Sequence, residues 1–306
     1  MKNLAYVTPD IRDRLVVRFG PAVLPWCDGL PGLVAELATR WDLDVLAAGG
    51  GGTSRVFRCA RRGTGAPVWL KLTPEHTIAG EEAEALRAWA GTPSVVTLLA
   101  QDLALGALLL QGVEPGVPLR KLAWELSDAA ALLTELRSAA HTPGEHSVLK
   151  PLSHRVGFLF DLADSMLTAA GKKGLFAPAV LARAREAALG LAAGGPARLV
   201  HGDLHPGNVL SGPDARMVAI DPRPAWGDPD FDAVDWVLDG VVSLDALEDR
   251  IGELAGMVPG QDPDRVSAWC RALAPLVAIP RVCGGRGDAG TEFLVALAAD
   301  GPSVTR

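Results

Sequence analysis

Val200-His201-Gly202-Asp203-Leu204-His205-Pro206-Gly207-Asn208-Val209-Leu210 is the stretch on which the reading of this 306-residue chain turns. A short β-like segment, residues 198–200, runs into it. Asn208 follows Asp203 after five positions, and Asp221 follows it after eighteen, at the end of the apolar run Met217-Val218-Ala219-Ile220. A carboxylate, an amide and a second carboxylate in that order suit phosphoryl transfer. That reaction asks little covalent chemistry of a protein: one group orients the attacking hydroxyl and takes its proton, and hard oxygen ligands hold the magnesium that bridges the phosphates. Asp203 fits the first task, and Asn208 and Asp221 fit the second. Asp, Asn, Pro and Gly also gather in loops for local turn and cap reasons, but the three together at this spacing favour the chemical reading.

Upstream, Lys71 lies in Val68-Trp69-Leu70-Lys71-Leu72, a strand signal with apolar neighbours. A lysine there must reach water or find anionic partners. Kinases place a lysine on such a strand to hold nucleotide phosphates, fixed by a carboxylate on the next helix. The helical segment 79–89 offers Glu81, Glu82 and Glu84 for that role. Residues 49–54 are a candidate phosphate-covering loop, with Gly50, Gly51, Thr53 and Ser54 as the residues closest to a ligand. Glycine lets backbone amides approach phosphate, though the loop is not a full GxGxxG and also reads as a flexible hairpin turn. No Walker A pattern is present in the chain, so a P-loop NTPase is excluded. Residues 109–114 read as an inter-lobe hinge, where main-chain groups at Gln111 and Val113 would meet an adenine edge.

Composition bounds the rest. A chain 49% hydrophobic and 21% charged is not disordered, and its length suits two lobes. A net charge of −7 argues against a nucleic-acid binder and leaves room for a cationic substrate. Cys27, Cys59, Cys270 and Cys283 show no metal-ligand spacing, which fits a reduced cytoplasmic protein. The N-terminal stretch has no apolar core of a signal peptide, and the longest apolar run, near residues 103–110, is too short to span a membrane.

Hydrophobic periodicity predicts a helix over 30–41 and a strand over 43–46. Paired strands at 55–62 and 66–73 follow around Gly63-Thr64-Gly65, then the helix 79–89 and strands at 95–100 and 107–113. Glu114-Pro115-Gly116 punctuates the chain. Helical patterns follow at 120–140, 154–170, 178–193, 234–256, 263–279 and 291–299. The expectation is an α+β chain with a strand-rich, nucleotide-binding N-lobe over 1–113 and a mostly helical C-lobe over 114–306 that carries the catalytic loop and the acceptor site.

His201-Gly202-Asp203-Leu204-His205-Pro206-Gly207-Asn208, followed by the run Ile220 to Asp232 (IDPRPAWGDPDFD), resembles the aminoglycoside phosphotransferase branch of the protein-kinase-like fold. The nearer resemblance is to its streptomycin 6-phosphotransferase and hydroxyurea phosphotransferase group. LPGLVAELATRW at 30–41, WLKLT followed by EALRAWAG, and the IDPRP continuation carry it, over roughly residues 30–300. The resemblance implies a bilobal fold, Asp203 as catalytic aspartate, Asn208 and Asp221 as magnesium ligands, and Glu82 as the partner of Lys71. It implies ATP (or GTP) and Mg2+ as cofactors. The partner is a small hydroxyl-bearing acceptor, with no role for nucleic acid or membrane. Streptomycin or a related aminoglycoside is the foremost acceptor, with hydroxyurea or another small metabolite as the alternative. A non-catalytic nucleotide-binding regulator is the rival of another class.

On the acceptor side, Asp228, Asp230, Asp232, Asp235 and Asp239 form an acidic run that reads either as a wall for a cation or as helix-start chemistry, with Asp228-Pro229 as cap and first residue. Asp230 and Asp232 are the acceptor candidates of this run. His205, beside Asp203, and Arg223, which follows Asp221-Pro222 and would offset phosphate charge, complete the set. Asp232 also matches an acidic position common in the family and is a candidate support for the catalytic loop. His201 reads as a packed loop residue.

Overall fold

The structure is a computed structural model that describes residues 4–50, 53–139 and 141–300. Five antiparallel strands form the N-terminal sheet: β1 (Leu43–Gly50), β2 (Arg55–Arg61), β3 (Pro67–Leu72), β4 (Leu98–Asp102) and β5 (Ala107–Gln111), in the order β1-β2-β3-β5-β4. Alternation along β2 sends Phe57 and Cys59 into a core closed by two helices, α1 (Pro9–Phe19) and α2 (Leu24–Arg40). In β5 all of Ala107 to Leu110 is buried. Ala107 and Leu109 enter this N-terminal core, whereas Leu108 and Leu110 enter a second one. A strand buried on both faces reads as a continuous apolar run, as Ala-Leu-Leu-Leu does here.

The second core joins the lobes. It begins at α3 (His76–Ala88) and runs through α4 (Leu126–Ser138), α5 (Leu152–Ala169) and α6 (Pro178–Ala193). It continues through α7 (Val234–Leu238), α8 (Leu244–Met257), α9 (Pro263–Cys283) and α10 (Ala289–Asp300). Trp89, fully buried at the end of α3, donates its Nε1–H to the Leu136 carbonyl of α4 at 3.1 Å. The helix of the N-lobe is therefore seated on the C-lobe. Small strand pairs frame the cleft floor: β7 (Arg198–Val200) and β6 (Lys150–Pro151) flank β10 (Ala225–Gly227), and β8 (Val209–Ser211) pairs with β9 (Met217–Ala219).

Three elements differ from the sequence reading. Helix α1 was not expected, and α2 starts at Leu24 and continues through Pro31 instead of starting at residue 30. The segment 234–256 is two helices. Gly240, at φ +74°, turns the chain between them, and Ser243 caps α8 by accepting from the Ala246 N–H at 3.2 Å. Among the described residues one helix, α9, is long and apolar enough to cross a membrane; Trp269, Cys270, Leu273 and Ile279 bury it in the second core.

Candidate active site

The loop after β7 is stitched to the segment after β9. Arg223 N–H donates to the His201 carbonyl at 2.9 Å, and Ile220 N–H donates to the Asn208 carbonyl at 2.9 Å. Gly202 sits at φ +76°, and a Cβ there would lie 2.1 Å from the Arg223 carbonyl oxygen, so only glycine allows this approach. Asp221 also adopts a left-handed backbone, φ +55°, a conformation that Asp tolerates better than most residues.

Asp203 is gripped from two sides. Arg155 of α5 donates from Nη2 to Asp203 Oδ1 at 2.9 Å and from Nε to the Gly202 carbonyl at 2.9 Å. Asn208 Nδ2 donates to Asp203 Oδ2 at 2.9 Å and to its carbonyl at 3.0 Å. That orientation leaves Asn208 Oδ1 without a protein hydrogen bond among the described residues.

Lys71 on β3 reaches across the lobes. Its Nζ lies 2.5 Å from Glu82 Oε2 on α3 and 2.6 Å from Asp221 Oδ1. Burial alone would push the Lys71 ammonium down, yet Asp221 and Glu82 together hold it above its ordinary value. Burial would likewise raise Asp221, but Lys71 and Arg223 keep it below the usual carboxylate range. Glu81 turns instead to Lys150 at 2.8 Å, and Glu84 accepts from the Ser147 hydroxyl at 2.6 Å.

A cavity of about 340 Å³ opens behind this lysine. Trp69, Val96, Leu110 and Ile220 give it apolar walls suited to a flat heteroaromatic ring, and Ser54, Gln111 and Val113 also line it. Gly50 ends β1, and Gly51 lies outside the described residues. Thr53 faces the site. Its carbonyl accepts from the Thr73 hydroxyl at 3.2 Å, and its own hydroxyl accepts from Arg223 Nη2. Arg223, whose Nη2 is 3.7 Å from Asp221 Oδ1, thus stands between Thr53 and Asp221 and does not line the cavity at Asp203 that was expected for it.

Asp203 lines a second cavity, of about 420 Å³. Leu159, Phe231 and Val277 form its apolar wall, and Asp203, His205, Asp235, Asp239 and Arg281 supply its charge. His205 stands where expected, with Nδ1 accepting from the Gly207 N–H at 2.9 Å. Burial lifts the Asp235 carboxyl to about 6.

One acceptor assignment is corrected. Asp230 is buried and points away from the cavity, into a salt bridge with Arg137 of α4 at 2.9 Å. Asp232 touches the cavity, but both carboxylate oxygens are committed: Oδ2 accepts from the His201 N–H at 2.6 Å and Oδ1 from the Gly202 N–H at 2.9 Å. Burial pushes its carboxyl up to about 7, and these two donors oppose the rise. Asp232 therefore braces residues 201 and 202, the support position that the resemblance also offered for it, while still lining the cavity. Asp228 is likewise internal, bonded to Arg265 Nε at 2.9 Å and Trp269 Nε1 at 2.8 Å. His201 is buried beside Trp89, its Nε2 3.2 Å from the Ile220 carbonyl oxygen, and burial lowers it to about 4, so it stays neutral near pH 7.

Arg155 has no counterpart in the sequence reading. It sits in an ordinary amphipathic pattern, 154–170, and only the tertiary fold brings it to Asp203.

The model of the aminoglycoside/hydroxyurea antibiotic resistance kinase family matches residues 40–279. The chain belongs to this family. Its curated relatives include a hydroxyurea phosphotransferase of Kitasatospora aureofaciens, 35% identical over 260 residues that cover 82% of this chain and 72% of the relative. A streptomycin 6-kinase of Streptomyces glaucescens is 32% identical over 264 residues, 82% of each chain. As a member of this kinase family the chain is a phosphotransferase. Solved structures share the kinase-like fold at low identity. The choline kinase LicA from Streptococcus pneumoniae aligns with a TM-score of 0.59 at 14% identity, covering 88% of this chain and 98% of that one. The aminoglycoside phosphotransferase APH(4)-Ia, in a complex with ADP and hygromycin B, aligns with a TM-score of 0.53 at 17% identity, covering 87% and 98%.

Proposed function

We propose that this kinase transfers the γ-phosphoryl group of ATP to a hydroxyl of a small cationic molecule, with streptomycin or a similar guanidino-aminocyclitol as the best-fitting acceptor. The observation that carries the reading is that Asp203 lines a cavity with Asp235 and Asp239, while the segment hydrogen-bonded to its own loop carries Asp221, which lines a second cavity with Lys71. Adenine occupies the apolar cavity and Lys71 holds the phosphates, as its pairing with Glu82 and, across the lobes, with Asp221 prepares it to do. Arg223 and the Thr53 hydroxyl close over the phosphate tail. Asp203 accepts the proton of the acceptor hydroxyl as the new O–P bond forms and the bond to ADP breaks. Arg155 and Asn208 hold both of its oxygens, so the base is oriented before the acceptor arrives.

The amide oxygen of Asn208 and the carboxylate of Asp221 are hard donors on two segments joined by the Ile220–Asn208 backbone bond, and as a donor set they fit magnesium. When bound, that ion offsets charge on the phosphates. Asp235 and Asp239 receive the cation of the acceptor, and Leu159 and Phe231 pack against its ring. A cavity of about 420 Å³ lies in the range of drug-sized ligands, which favours an aminocyclitol over hydroxyurea. Kinship to a hydroxyurea phosphotransferase keeps that second acceptor in view. We take the lobes to divide between residues 113 and 114, and the setting to be the cytoplasm, where the described thiols are unpaired.

The test is ADP release by the purified chain with Mg-ATP and each of streptomycin, hydroxyurea and kanamycin. Release that depends on streptomycin is expected. Release that is the same with and without every acceptor contradicts the reading.

A further inference from the structure

A third cavity, of about 280 Å³, opens between α1, α3 and α5. Arg18, Lys150, Arg155 and Arg223 line it, against the two carboxylates Glu75 and Glu81. Three of the four cations already have partners: Lys150 pairs with Glu81 at 2.8 Å, Arg155 with Asp203 at 2.9 Å, and Arg223 lies 3.7 Å from Asp221. Arg18 has none. Its guanidinium lies 4.3 Å over the Phe158 ring, its Nε is buried without a hydrogen bond, and among the described residues it makes no salt bridge.

Burial lowers both Arg18 and Arg155; Asp203 offsets part of this at Arg155 and Glu75 part of it at Arg18, while Arg223 depresses both further. Glu75 acts on Arg18 without a salt bridge to it, and four cations face two carboxylates here, so the cavity keeps an excess of positive charge with one guanidinium unpaired among the described residues. Planar guanidinium forks suit a tetrahedral oxyanion. The place is also specific: Arg155 links this cavity to Asp203, and Arg223 links it to Asp221 and to the Thr53 hydroxyl. Arg18 comes from α1, which precedes the residues 40–279 matched by the family model.

We propose that this cavity binds a phosphate-class dianion, received by Arg18, Arg155 and Arg223. Its source is the phosphate monoester of the product leaving the cleft or free inorganic phosphate. The first source rests on the phosphotransfer reading; the site itself does not.

Isothermal titration of the full chain with inorganic phosphate tests it, alone and with saturating AMP-PNP and Mg2+. Phosphate is expected to bind in both conditions. Arg18→Gln should weaken it by roughly tenfold or more, as loss of a charged hydrogen bond does. Arg18→Lys should keep part of the affinity, which preserves the test if the glutamine variant folds poorly. Arg14→Gln, on the same helix and paired only with exposed Asp10, should leave it unchanged. Titration with glycerol 3-phosphate separates the sources: an ester that binds tighter than phosphate points to product, and phosphate without the ester points to the free ion. Equal affinity in wild type and Arg18→Gln, no binding by the wild type, or binding abolished by AMP-PNP would each overturn the proposal. No turnover is measured, so a chain that phosphorylates nothing can still bind phosphate, and an active one can fail to.

Discussion

Two acid-rich segments lie within forty residues of each other and behave in opposite ways. In the first, Asp203 and Asp221 keep 34% and 37% of their side chains exposed to the cleft. In the second, Asp228 and Asp230 keep 0% and 2%. The residue type is the same; the partners differ. Asp203 is held by groups that leave it facing a cavity, whereas Asp228 and Asp230 are consumed by Arg265 and Arg137 from distant helices. A buried carboxylate whose oxygens are all engaged has nothing left for a substrate. On the proposed reading, chemistry falls to the acids that the fold orients and leaves open, and the closed ones build the frame beneath them.

Substitutions can sharpen or break this division. The largest effect is expected at Asp203→Asn. Loss of a positioned base should lower kcat by about 10²–10⁴-fold, with the KM for ATP and the thermal midpoint near wild type. Asp230→Ala should do the reverse. It strands Arg137 in the interior and should cost about 3–5 kcal/mol of stability in urea titration, while turnover per folded molecule survives. Asp232→Asn lies between. Its single amide oxygen leaves one of the His201 and Gly202 N–H groups unpaired, at about 1–3 kcal/mol, and kcat should drop with it because that loop carries Asp203.

The smallest effect concerns Asp235, which stands in the acidic run yet lines the acceptor cavity. Its carboxyl, lifted to about 6, is charged above that pH and neutral below it. For a cationic acceptor kcat/KM should therefore fall as pH drops through about 6. Asp235→Asn should lower it roughly tenfold at pH 8 and remove that fall. A flat profile in the wild type would move Asp235 into the closed group.

The fold was legible where periodicity and punctuation are local. Val, Phe and Trp alternation found β2 and β3, and the Gly63-Thr64-Gly65 turn joined them. Spacing within one loop and one strand end marked Asp203, Asn208 and Asp221 as a set. Helix α1 was missed although Thr8-Pro9-Asp10 carries a start signal, an extended residue before a proline with an acid in the first turn. Arg155 left no signal, since its bond to Asp203 spans 48 positions and its own helix pattern is unremarked. The same distance defeats the reading of Asp230, whereas the bracing by Asp232 was offered by the resemblance and not by its neighbours. Nothing near Asp230 in sequence says that Arg137 will take its oxygen.

The most direct test is mass spectrometry of streptomycin after incubation with Mg-ATP and either the wild type or Asp203→Ala. The account predicts one added phosphoryl group with the wild type and none with the variant, while the variant still binds ATP. An adduct formed equally by both proteins would contradict it, because the transfer would then not depend on the open carboxylate at the centre of the cleft.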